Sequence, residues 1–193
     1  MGSVSSNIII KNYDFVDNCI GTYSDKYSNT LNGLGSYATY NGKNCVYIQG
    51  RAGTHIINKI KNLIVTNFEL TCYMAINGKP YNDSAIHLRG AIGNYTPNFT
   101  LSGGDSKMYI GYNSNFGSDD FRNPNSVLCN SSETGTWYKV TIKVIENNIT
   151  VTVDGKGTTT FTDSKMLSSG EIFFENLGYP YNSYFADIKI KKL

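Results

Sequence analysis

The sequence predicts an all-β chain folded as a two-sheet antiparallel β-sandwich, and three observations carry that expectation. The 193 residues include 23 Asn, 19 Gly and 15 Tyr but only five Glu. Asn and Gly favour turns, Tyr and Thr favour strands, and no Glu-Lys-Ala-rich segment is present to propagate a helix. Short runs of period-two alternation recur along the chain, each bounded by turn residues. Finally, 40% hydrophobic and 13% aromatic residues supply the core of one domain.

Taken in order, the expected strands are 45–49, 64–76, 85–89, 98–102, 107–113, 138–146, 148–154, 158–162, 170–176 and 183–191. The clearest hairpin spans 137–155. Val140, Ile142 and Val144 share one parity there, and Ile149, Val151 and Val153 share another across the Glu146-Asn147-Asn148 turn. Asp154-Gly155 then makes a second tight turn, because both residues tolerate positive φ. Gly103-Gly104 closes a further hairpin. About ten strands with no helix imply two stacked antiparallel sheets. Residues 1–6 read as a cloning scar or linker, and 7–193 as a single sandwich domain.

Several classes of function are disfavoured at once. Net charge is +2 on 17% charged residues, and no basic run exceeds Lys191-Lys192. A nucleic-acid partner is therefore not expected. No apolar stretch approaches the roughly 20 residues of a membrane-spanning helix, so membrane insertion is not expected either. The start, Met1-Gly2-Ser3-Val4-Ser5-Ser6, lacks the basic and apolar blocks of a signal peptide. Cys19, Cys45, Cys72 and Cys129 form no C-x-x-C pair, and the only histidines are His55 and His87, which argues against structural zinc. Two disulfides in three connectivities stay open. Cys72 shares the parity of Phe68, Leu70 and Met74 and is expected as a core thiol. N-x-S/T triplets start at Asn82, Asn94, Asn98, Asn130 and Asn148; with Asn this common, such triplets arise by chance.

The last third carries a family pattern. Gly135-Thr136-Trp137-Tyr138-Lys139-Val140-Thr141-Ile142 followed by Ile149-Thr150-Val151-Thr152-Val153-Asp154-Gly155 resembles the concanavalin A-like lectin/glucanase superfamily, in its laminin-G-like and levan-binding-module-like branches. Ser169-Gly170-Glu171-Ile172-Phe173-Phe174 and Phe185-Ala186-Asp187-Ile188-Lys189-Ile190 resemble its closing strands. Upstream, Tyr13-Asp14-Phe15 is similar to its opening segment, and Ser84-Ala85-Ile86-His87-Leu88-Arg89 to one of its inner strands. The resemblance implies a jelly roll with one concave sheet often used to hold sugars. It places Trp137 at the head of a back-sheet strand, where it helps fill the core. No cofactor is required by this reading; members of the superfamily often hold a structural calcium ion, and for such a site Asp14, Asp17 and Asp187 are the candidates where the terminal strands meet.

Catalysis is not expected. Gly170-Glu171-Ile172-Phe173-Phe174-Glu175-Asn176-Leu177-Gly178 resembles the E-x-D-x-E motif of the superfamily's β-glucanases, but Phe173 replaces the central Asp. Two Glu four residues apart on one regular strand stand roughly 13 Å apart, too far for the usual carboxyl pair. His55 and His87 lie in no recognisable nucleophile motif, and Asp119-Asp120 reads as a solvated turn.

Binding residues follow from parity and from what a sugar requires: aromatic faces for its C–H side and paired polar groups for its hydroxyls. Core positions at Ile86, Leu88, Met108, Ile110, Ile172 and Phe174 turn His87, Arg89, Tyr109, Asn113 and Glu175 outward, to converge on an exposed wall. A plain Arg89–Glu175 surface pair is the alternative there. Tyr179, Tyr181 and Tyr81 add loop aromatics that either recognise ligand or cover the ends of the sandwich. The expected function is a non-catalytic glycan-recognition domain of a larger protein at the cell or virion surface, such as an adhesin, a receptor-binding protein or a carbohydrate-binding module. An assembly module that forms oligomers through its Tyr/Asn surface is the alternative, and a glycoside hydrolase is third.

Overall fold

The computed structural model describes residues 7–9, 23–24, 35–50, 54–79, 82–91, 93–114, 124–130, 132–178 and 180–193. These form strands β1 (Asn7–Ile9), β2 (Tyr23–Ser24), β3 (Gly35–Tyr40), β4 (Lys43–Gln49), β5 (Thr54–Val65), β6 (Phe68–Ile76), β7 (Asp83–Gly90), β8 (Thr96–Ser102), β9 (Met108–Asn113), β10 (Ser126–Cys129), β11 (Tyr138–Ile145), β12 (Asn148–Val153), β13 (Gly157–Thr162), β14 (Gly170–Leu177) and β15 (Asn182–Lys192). No helix occurs among the described residues.

The strands pair antiparallel into two sheets. The first runs β13-β12-β11-β6-β15-β4-β3, with β1 added beside β15, and the second runs β10-β9-β8-β7-β14-β5-β2. The core lies between them. The first sheet contributes Val46, Ile48, Leu70, Cys72, Met74 and Phe185; the second contributes Ile86, Leu88, Phe99, Ile110, Ile172 and Phe174. Phe174 and Phe185 meet edge to face across the gap, with ring centroids 5.1 Å apart. Cys72 is completely buried as a thiol, as its parity requires, and burial pushes its pKa up.

The long hairpin forms in the expected register, with Val140 opposite Val153, Ile142 opposite Val151 and Val144 opposite Ile149. Glu146 takes positive φ in its turn, and Gly155 does so in the next. The expected single strand over 64–76 is instead two. β5 ends at Val65 in the second sheet and β6 begins at Phe68 in the first, so Thr66-Asn67 is a corner between layers. Asn67 Oδ1 accepts a bond from the Glu146 amide at 2.8 Å, which holds that corner. β3 lies outside the expected strands, although Asn41-Gly42, both at positive φ, is a strong hairpin signal between β3 and β4.

Candidate functional site

The polar candidates gather on the face of the second sheet turned away from the core. Alternation sends Ile86, Leu88, Phe99, Leu101, Met108, Ile110, Ile172 and Phe174 inward, so the intervening residues take the other face. Register sets these in rows. Gly111, Asn98, His87 and Phe173 lie side by side across four strands, and Tyr109, Thr100, Ala85 and Glu175 form the next row.

His87 and Glu175 are therefore diagonal neighbours on β7 and β14, close enough for His87 Nε2 to hydrogen-bond the Glu175 carboxylate. Beside them Asn98 Nδ2 donates to Asn113 Oδ1 at 2.9 Å, and Thr100 Oγ1 donates to Asn98 Oδ1 at 2.9 Å. The structure thus brings His87, Tyr109, Asn113 and Glu175 together, and it corrects their setting. They were expected on an exposed wall, yet His87 and Glu175 are 0% exposed, Asn113 1% and Tyr109 4%. The polar atoms of this layer face one another rather than water. Asn98, Thr100 and Phe173 belong to the same array and were missed as site residues; their parity opposite Phe99, Leu101 and Phe174 was the available signal.

Arg89 does not join them. Between the pairs His87–Phe173 and Gly90–Glu171, β7 sets Leu88 and Arg89 against the single residue Ile172. This is a bulge, with Arg89 at φ 49°, and a bulge re-aims the side chain. The guanidinium is buried at the corner: Nε donates to Thr66 O at 2.5 Å, Nη1 to Glu146 O at 2.6 Å and Leu167 O at 3.3 Å, and Nη2 to Asn67 Oδ1 at 3.0 Å. Burial lowers its pKa from the ordinary arginine value. Nor does Arg89 pair with Glu175 at a surface, since His87 holds that carboxylate.

Tyr181 is half-buried, and its hydroxyl donates to Lys79 O at 3.1 Å. Its loop is tied into the end of the sandwich. Tyr81, Tyr179, Asp14 and Asp17 lie outside the described residues. Asp187 is exposed and occupies a bulge of β15 at φ 51°, with Lys43 Nζ 3.8 Å from its carboxylate. Among the described residues no group of three or more His, Cys, Asp or Glu side chains is placed to hold a metal.

Trp137 stands immediately before β11, at the head of a strand as expected. It lies, however, on the outer face of the first sheet rather than in the core between the sheets, half-buried beside Tyr40, Tyr47, Tyr73 and the buried Tyr184. Its Nε1 donates to Tyr40 O at 3.0 Å, and Tyr40 stacks on Tyr184 with centroids 3.9 Å apart.

The model of the 3-keto-alpha-glucoside-1,2-lyase-like domain family matches residues 34–191. In structure the chain is similar to the carbohydrate-binding module CBM66 from Bacillus subtilis, with a TM-score of 0.62 and 13% identity over 80% of this chain and 91% of that one. It is also similar to a β-1,3-1,4-glucanase (lichenase) derived from a mouse hindgut metagenome, with a TM-score of 0.60 and 10% identity over 97% and 99% of the two chains. The β-glucanase of Bacillus licheniformis gives 0.55 and 10% over 90% and 98%. These likenesses establish the fold alone, a two-sheet concanavalin A-like jelly roll. No curated protein matches the chain in sequence.

Proposed function

Because the chain belongs to the 3-keto-alpha-glucoside-1,2-lyase-like domain family, we propose that it is a glycan-recognition domain whose sugar lies on the outer face of the second sheet. The observation behind this reading is the convergence of His87, Tyr109, Asn113 and Glu175, with Asn98 and Thr100, on one face of four adjacent strands. A sugar needs a ring for its C–H face and amide or carboxylate groups for its hydroxyls, and this face holds both in a prearranged network. The face is covered in this structure, so a ligand has to displace that cover to reach it. Among the described residues no carboxylate sits opposite Glu175, whose register partners are Ala85 and Ile57. That favours binding over hydrolysis by a carboxyl pair.

The test is calorimetric titration and array binding with glucose-containing oligosaccharides. Tyr109→Ala and Asn113→Ala should weaken binding at least tenfold while the fold is retained; an array without a hit refutes the reading.

The His87–Glu175 pair favours a second reading, elimination on a 3-keto-glucoside. A ketone at C3 acidifies the C2–H bond. Removal of that proton forms a C1–C2 double bond conjugated with the ketone and expels the C1 oxygen substituent, which leaves as an alcohol when the protonated base returns the proton to it. An imidazole oriented by a carboxylate is suited to take up such a proton. Turnover of a 3-keto-glucoside that is abolished by His87→Gln, with ligand affinity kept, would establish this reading in place of simple recognition.

A further inference from the structure

At the end of the sandwich where β14 leads into β15, the layer between the sheets changes from hydrocarbon to amide and hydroxyl. Ser84 and Asn176 are register partners on the inward side of β7 and β14. Ser183 lies on the inward side of β15, beside Ile48 and Ile76 of the first sheet. Asn82 enters from the loop before β7. All four residues are 0% exposed. Asn176 Nδ2 crosses the gap to donate to Ile48 O at 2.7 Å and also reaches Tyr181 O at 3.0 Å, while Asn82 Nδ2 donates to Asn182 O at 3.1 Å. These bonds orient both amides, since a flip would set oxygen against carbonyl oxygen. Four buried oxygens of this layer then lack a partner among the described residues: Asn82 Oδ1, Asn176 Oδ1, Ser84 Oγ and Ser183 Oγ. The neighbouring Asp83 Oδ1 and Asn182 Oδ1 also lack one there, but alternation turns them to the outer faces of β7 and β15.

We propose that this layer is the binding site of an internal water molecule that joins the two sheets. The two amide oxygens only accept hydrogen bonds, and the two hydroxyls can donate. A water molecule carries two hydrogens and two lone pairs, so it matches all four atoms at once. Space follows from side-chain size. The adjoining inward positions hold Phe174, Ile86 and Phe185, whereas two serines cannot fill a gap between sheets about 10 Å apart. A divalent cation suits the site poorly, because calcium takes six to eight oxygens, carboxylates among them; these four oxygens are neutral, and the adjacent Asp83 carboxylate belongs to the opposite face of β7. The end is also closed. A Cβ on Gly50 would lie 1.5 Å from Gly178 O, and one on Gly78 would lie 1.9 Å from the Tyr181 ring. The site backs the polar face directly, since Asn176 follows Glu175 on β14, but it does not depend on what that face binds.

Water-to-amide cross-relaxation measured by NMR on the unaltered protein tests this. Long-lived-water cross-peaks are expected at Ser84, Asn176 and Ser183, and their absence overturns the proposal. Melting temperature should be the same in NaCl, KCl, CaCl2 and choline chloride at equal ionic strength; a rise specific to one cation overturns it in favour of an ion. Ser84→Ala and Ser183→Ala should each lower the melting temperature by about 3 °C. The double variant should lose clearly less than the sum, because the same water is lost once. Fully additive losses would count against a shared water.

Discussion

His87 and Glu175 hydrogen-bond across β7 and β14 with neither side chain exposed to solvent. Such a pair is costly to break and of little net benefit to keep, because removing one partner strands a polar group in a buried layer while removing both does not. Glu175→Ala or His87→Ala should therefore cost about 3–5 kcal/mol in urea unfolding. The joint His87→Leu, Glu175→Leu variant should recover most of that loss yet bind no sugar. Losses that simply add would show that the two side chains are not coupled.

The sequence made this face legible because alternation is a strict geometric rule wherever a strand is regular. The inward set Ile86, Met108, Ile110, Ile172 and Phe174 sufficed to place His87, Tyr109, Asn113 and Glu175 on one face. It misplaced Arg89, since a bulge adds one residue and moves the next side chain to new surroundings, and no residue in Leu88-Arg89-Gly90 announces it. The corner at Thr66-Asn67 was hidden for a related reason. Strand-forming residues continue on both sides of it, and Asn67 earns its place through contacts with Glu146 and Arg89 that are distant in sequence. The covering of the face was illegible because burial of polar atoms depends on tertiary neighbours, not on local pattern.

Arg89 should behave as a structural clamp and not as a sugar ligand. Its four bonds tie the Thr66-Asn67 corner to Glu146 and Leu167, and a hydrogen bond from a charged donor contributes about 1.5–3 kcal/mol. Arg89→Met should cost at least about 3 kcal/mol, measured by urea unfolding. Arg89→Lys should rescue little of it, because a single ammonium cannot reach acceptors spread around a planar fork. Any Arg89 variant that stays folded should keep its sugar affinity; selective loss of affinity would return Arg89 to the binding site.

Stability should fall on the alkaline side. Burial raises the Cys72 thiol, and burial followed by the 2.8 Å hydrogen bond to Asp163 raises the Tyr95 hydroxyl. In both cases the native state holds its proton at a pH where the unfolded chain releases it. Their contributions are complete below the unfolded values, about 8.5 for the thiol and 10 for the phenol, and decline as pH rises beyond each. The urea midpoint should start to drop above pH 9 and drop more steeply above 10. Cys72→Val should reduce the first part of the decline, to which Cys45, also raised by burial, adds the remainder, and a thiol reagent should modify Cys72 only at the rate of unfolding. Rapid labelling of Cys72 in the folded protein would contradict its burial.

Asp187 has a structural reason for its position that requires no metal. β15 sets Asp187 and Ile188 against Cys72 alone, between the pairs Ala186–Tyr73 and Lys189–Thr71, and the residue at φ 51° must tolerate the left-handed region. Asp, Asn and Gly do so most readily. Its carboxylate, 3.8 Å from Lys43 Nζ at an exposed site, adds little on its own. Asp187→Asn preserves the bulge and removes the charge, so its melting temperature should stay within about 2 °C of the unaltered protein. Asp187→Val, which resists positive φ, should lower it by several degrees. Calcium decides whether the carboxylate has a second role. If added calcium raises the melting temperature of the unaltered protein and not that of Asp187→Asn, the side chain is a ligand; an equal response in both confines it to the bulge.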